Sequence, residues 1–157
     1  MPFAILWPTF VLVALIYAVW FVMYVQRFAL MKRTPPTADD FATMDGGRRY
    51  FAPVEMPAAN FTNLFEMPVL FFALVPLLLI THHANHIQVA LAWIYVLLRA
   101  LHSVVQIVIR RVPLRFMVYA LSCAVLSAMW IGFAVDMAGA SARYQDATGS
   151  IPVALSR

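Results

Sequence analysis

The fold is decided by one apolar stretch, His86–Ile109, which reads HIQVALAWIYVLLRALHSVVQIVI. A helix turns about 100° per residue, so polar residues spaced three or four apart share one face. The polar residues in and just after the second half of the stretch fall in a stripe about 100° wide. They are Tyr95, Arg99, His102, Ser103, Gln106 and Arg110. Leu, Val, Ile and Ala occupy the other faces, so the pattern predicts a membrane-spanning helix with one polar side.

Arg99 lies near the middle of this predicted helix. A cation in the centre of a membrane costs at least about 2.5–3.5 kcal/mol on insertion scales. A membrane protein retains such a charge where it faces a polar partner or a water-filled cavity. The polar stripe is therefore the candidate functional surface of the protein.

The composition predicts that the rest of the chain is also a membrane protein. Of its 157 residues 64% are hydrophobic and 11% are charged, whereas about 25% charged residues is usual in a soluble domain. About 20 apolar residues cross the hydrocarbon core, and four segments approach that length: residues 3–25, 61–80, 87–109 and 114–135. We expect an all-α integral membrane four-helix bundle, one domain over residues 1–157, with a loop at residues 26–60.

The placement of charge predicts the topology. The net charge is +4, and the basic residues cluster in the first loop and around Arg110–Arg115, whereas the second connection has no Lys or Arg. By the positive-inside rule the first and third connections are cytoplasmic and both termini lie on the other side. This bias indicates a membrane topology and argues against a nucleic-acid partner.

The second predicted helix supplies polar groups to the third. Asn63 and Glu66 are three residues apart and hence neighbours on a helix surface. At 1.5 Å per residue, Glu66 and His102 lie at similar depth when both helices are entered from the same side, and Arg99 is one turn deeper. An ion pair between Glu66 and Arg99, with His102 nearby, is the arrangement we expect to hold these groups in lipid.

These residues also form an ordered set of motifs. The second helix carries Asn-x-x-Glu followed by Pro68, the third carries Arg-x-x-His, and an Arg and a Tyr follow in the fourth. The positions are Asn63, Glu66, Arg99, His102, Arg115 and Tyr119. In this combination the chain resembles the MAPEG family, the membrane-associated proteins of eicosanoid and glutathione metabolism, in its divergent bacterial form. The resemblance implies a bacterial inner membrane as the location.

The resemblance implies a homotrimer with glutathione bound between neighbouring subunits, in a site open to the cytoplasm. It implies a transferase or peroxidase that uses glutathione as co-substrate against lipophilic electrophiles delivered by the membrane lipids. Arg115 would stabilise the thiolate. The residues that would bind or frame glutathione are Asn63, Glu66, Arg99, His102, Ser103 and Tyr119.

Three positions depart from the family pattern. Ala59 stands where an Arg is usual, Phe61 where a His is common, and Gln106 where a Tyr is common. Arg48 and Arg49 lie too far upstream to replace the missing Arg unless the loop folds back. The departures favour an alternative function: a non-catalytic membrane scaffold, or a lipid- or partner-binding protein that has lost the glutathione site. A transporter is a weaker alternative, because no inverted repeat or pair of discontinuous helices supports it.

No metal site is expected. His82, His83 and His86 are close in sequence, but a zinc site needs three or four ligands and no acid or Cys lies nearby. Cys123 is the only cysteine, so an intrachain disulfide is excluded. A thiol within hydrocarbon resists ionisation, which argues against Cys123 as a nucleophile.

Overall fold

The computed structural model describes residues 2–149, including the side chains of residues 3–145. Within these residues the secondary structure is helical throughout and contains no strand. The α-helices are α1 (Leu6–Arg33), α2 (Met44–Phe51), α3 (Glu55–Glu66), α4 (Pro68–Ile80), α5 (His86–Val104) and α6 (Val112–Gly149). The prediction of an all-α fold is confirmed.

Four helical stretches are long and apolar enough to cross a membrane. They are Phe3–Arg33, Met44–Ile80, His86–Ile109 and Val112–Gln145. Each contains one of the spans expected from the sequence. At the end next to the first or third connection, each helical stretch is as long as the expected span or extends beyond it. The four-helix arrangement is therefore the one that the apolar segments predicted.

The first loop is shorter and more ordered than expected. Helix α1 continues to Arg33, because the first residues that stop a helix are Pro35 and Pro36. Helix α2 then begins after Thr43, whose side-chain oxygen accepts a 3.0 Å hydrogen bond from the backbone N–H of Gly46. This is an ordinary helix N-cap. The loop thus folds back as a helix beside α1 and α3.

Proline breaks the second span once. Helix α3 ends at Glu66 and α4 begins at Pro68, which lacks an N–H and is well placed in a first helical turn. Pro76 lies inside α4, and the helix continues past it. Of these two prolines, only Pro68 separates two helices.

Helix α5 lies at the centre of the bundle and contacts both α1 and α6. Its Tyr95 ring stacks on Phe71 of α4 with centroids 5.1 Å apart. The surrounding core is apolar and fully or almost fully buried: Ile5, Leu12, Leu74, Leu78, Val96, Leu126 and Met129. This packing fixes the rotation of α5 and so fixes where its polar stripe points.

At its C-terminal end, α5 continues as a short π-helix. Val105–Ile109 makes a π-helical turn, and Arg110 then adopts a left-handed backbone with φ 59° that ends the helix. A π turn adds one residue to the helical repeat and is frequent at functional sites. Here it contains Gln106, a member of the polar stripe.

Candidate functional site

The polar stripe of α5 faces the interior of the bundle. Five of its members are buried: Tyr95, Arg99, His102, Ser103 and Gln106. Arg110, past the π turn, is exposed. The hydrophobic packing of the other faces of α5 turns this stripe inward, toward α3 and α6. The stripe is therefore the polar interior that its periodicity predicted.

Arg99 is 0% exposed and only partly satisfied. Its Nη2 donates a 2.7 Å hydrogen bond to the carbonyl of Asn63, and its Cζ lies 5.4 Å from the centroid of the Tyr119 ring. Its Nε and Nη1 have no hydrogen-bond partner among the residues that the structure describes. A buried guanidinium without a carboxylate is costly, so this place in the fold favours an anion.

The expected ion pair between Glu66 and Arg99 is not formed. Glu66 is exposed, and Arg99 bonds to the carbonyl of Asn63 instead. The depth of the two residues was predicted from the helical rise, which says nothing about rotation. The burial of Asn60 and Leu64 sets the rotation of α3, and this rotation leaves Glu66 exposed. This prediction was wrong for the single chain.

Gln106 joins α5 to α3. Its Oε1 accepts a 3.0 Å hydrogen bond from Nδ2 of Asn63 and lies 3.0 Å from Nε2 of His102. Because this oxygen can only accept, His102 carries its proton on Nε2 in this arrangement. In the neutral imidazole Nδ1 is then the acceptor, and this atom is buried and has no hydrogen-bond partner in the described part of the chain. Gln106 therefore sets the tautomer of His102.

A cavity of about 430 Å³ opens beside this network, between α3, the π turn and α6. Four of the expected site residues line it: Asn63, His102, Arg115 and Tyr119. Gln106, Ala59 and Phe116 complete the polar and apolar parts of its wall. The rings of His102 and Tyr119 lie 5.6 Å apart, so the two side chains form one wall of the cavity.

The remaining expected residues lie outside the cavity. Arg99 is behind its wall, in contact with Tyr119 and Asn63. Ser103 donates from Oγ to the carbonyl of Arg99 at 3.1 Å, so its hydroxyl bonds within its own helix. Glu66 is exposed and is absent from the lining of this cavity. The structure thus brings four of seven site candidates together around one space, and Arg99 directly behind them.

Gln106 is the functional residue whose role the sequence reasoning missed. The sequence places it in the polar stripe, four residues after His102, and shows it as a departure from the family's Tyr, but neither observation predicts a role for it in the site. That spacing places the two side chains on one helical face and could have indicated their contact. The bond from Asn63 could not be foreseen, because it depends on the packing of α3 against the π turn.

Among the residues that the structure describes, the clustered histidines are not joined by further metal-binding side chains. The side chains of residues 3–145 contain no group of three or more His, Cys, Asp or Glu that could hold a metal ion. In the turn between α4 and α5, His83 lies 6.4 Å from the Phe133 ring, and Asn85 donates to Asp136 of α6 at 3.3 Å. These contacts fasten the turn to α6.

Comparisons with curated proteins and with solved structures gave no significant match. A comparison with protein families matches residues 5–135 to the MAPEG family. The matched region includes all four membrane-capable helices up to Val135, together with every residue of the cavity and of the polar stripe. With its four apolar helices and its inward polar stripe, the chain is an integral, multi-pass membrane protein that belongs to the MAPEG family.

Proposed function

We propose that this protein is a glutathione-dependent transferase or peroxidase acting on lipophilic electrophiles. The observation that carries the proposal is the cavity between two guanidinium groups, Arg115 in its wall and Arg99 behind it, where Arg99 has two N–H groups unpaired among the described residues. Glutathione is an anion with two carboxylates and an acidic thiol. Two fixed positive charges at one cavity attract such a ligand.

Arg115 is the proposed catalytic residue. A free thiol is mostly protonated at neutral pH, and a guanidinium beside the sulfur stabilises the thiolate and lowers the pKa of the thiol. The thiolate then attacks the electrophilic carbon, forming a C–S bond as the leaving group departs. With a peroxide the thiolate attacks the terminal oxygen, so that an S–O bond forms, the O–O bond breaks and the alkoxide leaves and takes a proton to become the alcohol. A second glutathione thiol then displaces water from the resulting glutathione sulfenic acid and forms glutathione disulfide.

The other site residues hold the tripeptide. Asn63, His102 and Tyr119 line the cavity and offer hydrogen-bonding groups, while Arg99 supplies charge from behind. Ser103 donates to the backbone carbonyl of Arg99 and would frame the site from behind. Glu66 is exposed on its own chain, and we propose that it meets glutathione bound between subunits of a homotrimer.

The membrane supplies the second substrate in this proposal. Phe116 lines the cavity and is 68% exposed, and the adjacent Met117 is 66% exposed. The cavity therefore borders a surface that would face acyl chains in a membrane. A lipophilic electrophile dissolved in the bilayer would reach the thiolate without crossing water.

The test compares Arg115→Ala with Arg111→Ala. Both remove one guanidinium from the same end of the bundle, but only Arg115 lines the cavity. Conjugation of a lipophilic electrophile in detergent should fall by about 10²-fold or more for Arg115→Ala, a typical loss for one electrostatic contact to a reacting group. The Arg111→Ala control should keep most of its turnover, and unchanged turnover in Arg115→Ala would contradict the role.

One observation favours a second candidate, a non-catalytic scaffold or a lipid- or partner-binding protein. Gln106 already bonds to both Asn63 and His102, so two expected ligands of glutathione have partners within the chain. Ala59 adds no charge to the cavity wall. If calorimetry of the purified oligomer shows no binding at millimolar glutathione, this second candidate replaces the first.

A further inference from the structure

A second and larger cavity lies at the loop side of the bundle, between α1, α2 and α3. Its volume is about 530 Å³. Its wall combines charged, hydroxyl and apolar side chains: Arg27, Arg48, Glu55, Thr62, Met44 and Phe51. The proposed reaction with glutathione uses none of these residues.

Arg27 presents a fixed and incompletely paired cation to this cavity. Its Cζ lies 4.8 Å from the centroid of the Phe51 ring, a cation–π contact that holds the guanidinium between α1 and α2. Its Nε is buried and has no hydrogen-bond partner within the described residues. A guanidinium held in this way is ready to bind a phosphate or carboxylate oxygen.

The other charged residues make the cavity complementary to a zwitterion. Arg48 adds a second guanidinium, whereas Glu55 adds a carboxylate. The Thr62 hydroxyl donates to the carbonyl of Ala58 at 3.3 Å, so its oxygen remains free to accept a hydrogen bond. Two cations suit a phosphate, and a carboxylate with a hydroxyl acceptor suits an ammonium group that can donate.

The surfaces beneath the cavity are apolar and exposed. On α1, Tyr24 and Trp20 lie one and two turns deeper than Arg27 on nearly the same face. On the second span, Phe65 and Val69 lie deeper than Thr62 and are both 56% exposed. A ligand with its polar end among the charges would therefore extend its apolar part along α1 and α3, into the hydrocarbon.

We propose that this cavity binds the headgroup of a phospholipid of the phosphoethanolamine type. The phosphate accepts from Arg27 and Arg48, the primary ammonium donates to Glu55, and the acyl chains lie against the apolar surfaces below. Basic pockets between membrane helices are known binders of lipid headgroups. Here the added carboxylate selects a headgroup that carries an ammonium.

Lipid binding to the full-length protein in detergent, without thiol, tests the proposal apart from the glutathione chemistry. Native mass spectrometry would compare dioleoyl lipids with ethanolamine, glycerol and choline headgroups. The ethanolamine lipid should bind about 10-fold more tightly than either other lipid, since the glycerol lipid lacks an ammonium and the choline lipid has no N–H to donate. Free O-phosphoethanolamine should compete weakly, because it lacks the acyl chains.

Three variants decide the assignment. Arg48→Gln should weaken ethanolamine-lipid binding about 10-fold, whereas Arg49→Gln, which removes the same charge from an exposed neighbour outside the cavity, should leave it nearly unchanged. Glu55→Gln should abolish the preference over the glycerol lipid. Equal losses in Arg48→Gln and Arg49→Gln, or a preference retained in Glu55→Gln, would overturn the proposal. Unchanged elution and melting of each variant controls for folding.

Discussion

At the scale of single residues, the buried charge of Arg99 is the main polar feature of the site. The chain retains a fully buried guanidinium that one carbonyl and one aromatic ring satisfy only in part. A charge placed this way is expensive in a membrane, and two neutral hydrogen-bond partners do not replace a counter-ion. The proposed glutathione carboxylate would complete its coordination. The same residue is thus the strongest physical argument for an anionic ligand.

The sequence predicted the inward stripe but not every contact within it. The positions of Tyr95, Arg99 and Gln106 on one face follow from helical periodicity alone, because 3.6 residues per turn fixes their relative angles. The partner of Arg99 does not follow from it. That partner depends on the rotation of α3, which is set by the burial of Asn60 and Leu64 against its neighbours.

Gln106 provides a residue-scale prediction about His102. Gln106→Leu removes the acceptor shared by Asn63 and His102 and leaves buried donors unpaired, so we expect a loss of about 1–3 kcal/mol in the free energy of unfolding. Nitrogen NMR shifts should show the Nε2–H tautomer of His102 in the parent protein and a mixture in this variant. Gln106→Glu keeps an acceptor oxygen and should restore the single tautomer. A parent protein with Nδ1–H would contradict the arrangement.

Asp40, outside the membrane helices, provides a prediction about pH. The backbone N–H and the hydroxyl of Thr37 both donate to its carboxylate at 2.8 Å, and they hold its pKa below the usual 3.8. Because the folded pKa is the lower one, this contribution to stability is present above the unfolded pKa and is lost as pH falls through the folded pKa. Thr37→Ala removes only the hydroxyl, so a carbon-detected NMR titration should show a partial rise of the Asp40 pKa.

At the scale of elements, two local irregularities build the site. The π turn at Val105–Ile109 brings Gln106 to α3, and the break at Pro68 lies one turn beyond the Asn63 carbonyl that Arg99 uses. The proline could be read from the sequence as an interruption. The π turn could not, because Val, Gln and Ile have no local signature that separates it from an α-helix, and only packing determines it.

The packing of α2 provides an element-scale prediction with a neighbouring control. A Cβ at Gly46 would lie 2.6 Å from the backbone oxygen of Asp40, whereas a Cβ at Gly47 would lie 3.7 Å from the Phe41 side chain. Gly46→Ala must therefore displace backbone, and should destabilise the loop by about 1–3 kcal/mol. Gly47→Ala meets ordinary contact and should stabilise α2 by up to about 1 kcal/mol.

Limited proteolysis of the first loop measures both variants. The Gly46→Ala protein should be cleaved faster between α1 and α3 than the parent, and the Gly47→Ala protein more slowly. Cleavage at the parent rate in Gly46→Ala would show that the loop does not pack against α2 as described.

At the scale of the whole molecule, the distribution of exposed residues suits a membrane and an assembly. Large apolar side chains are exposed along all four spans, including Phe21, Val69, Leu97 and Ile131, as expected where lipid or another subunit covers them. The sequence predicted this overall form well, because span length and hydropathy depend on composition alone. It could not tell which of these surfaces faces lipid and which faces a second copy, because both are apolar.

The position of Glu66 distinguishes a surface that faces another subunit from one that faces lipid. A carboxylate exposed to hydrocarbon costs about 2.5 kcal/mol or more, so its exposure on one chain favours a polar partner from another. In the proposed homotrimer that partner is glutathione bound between subunits. Glu66→Leu should then leave the oligomer intact, because the exposed carboxylate makes no ion pair within the described residues of its own chain that the exchange would break. Its affinity for glutathione should fall about 10-fold or more, the usual effect of losing a charged hydrogen bond.

Two measurements on purified protein decide between this placement of Glu66 and one in lipid. Native mass spectrometry should give three chains for both the parent and Glu66→Leu, and calorimetry should show the loss of glutathione affinity only in the variant. If Glu66 faced lipid, the variant would gain stability and bind glutathione as the parent does, because its side chain would touch no ligand. A parent protein of one chain that still binds glutathione would also contradict the shared site, since the exposed carboxylate would then have to act alone.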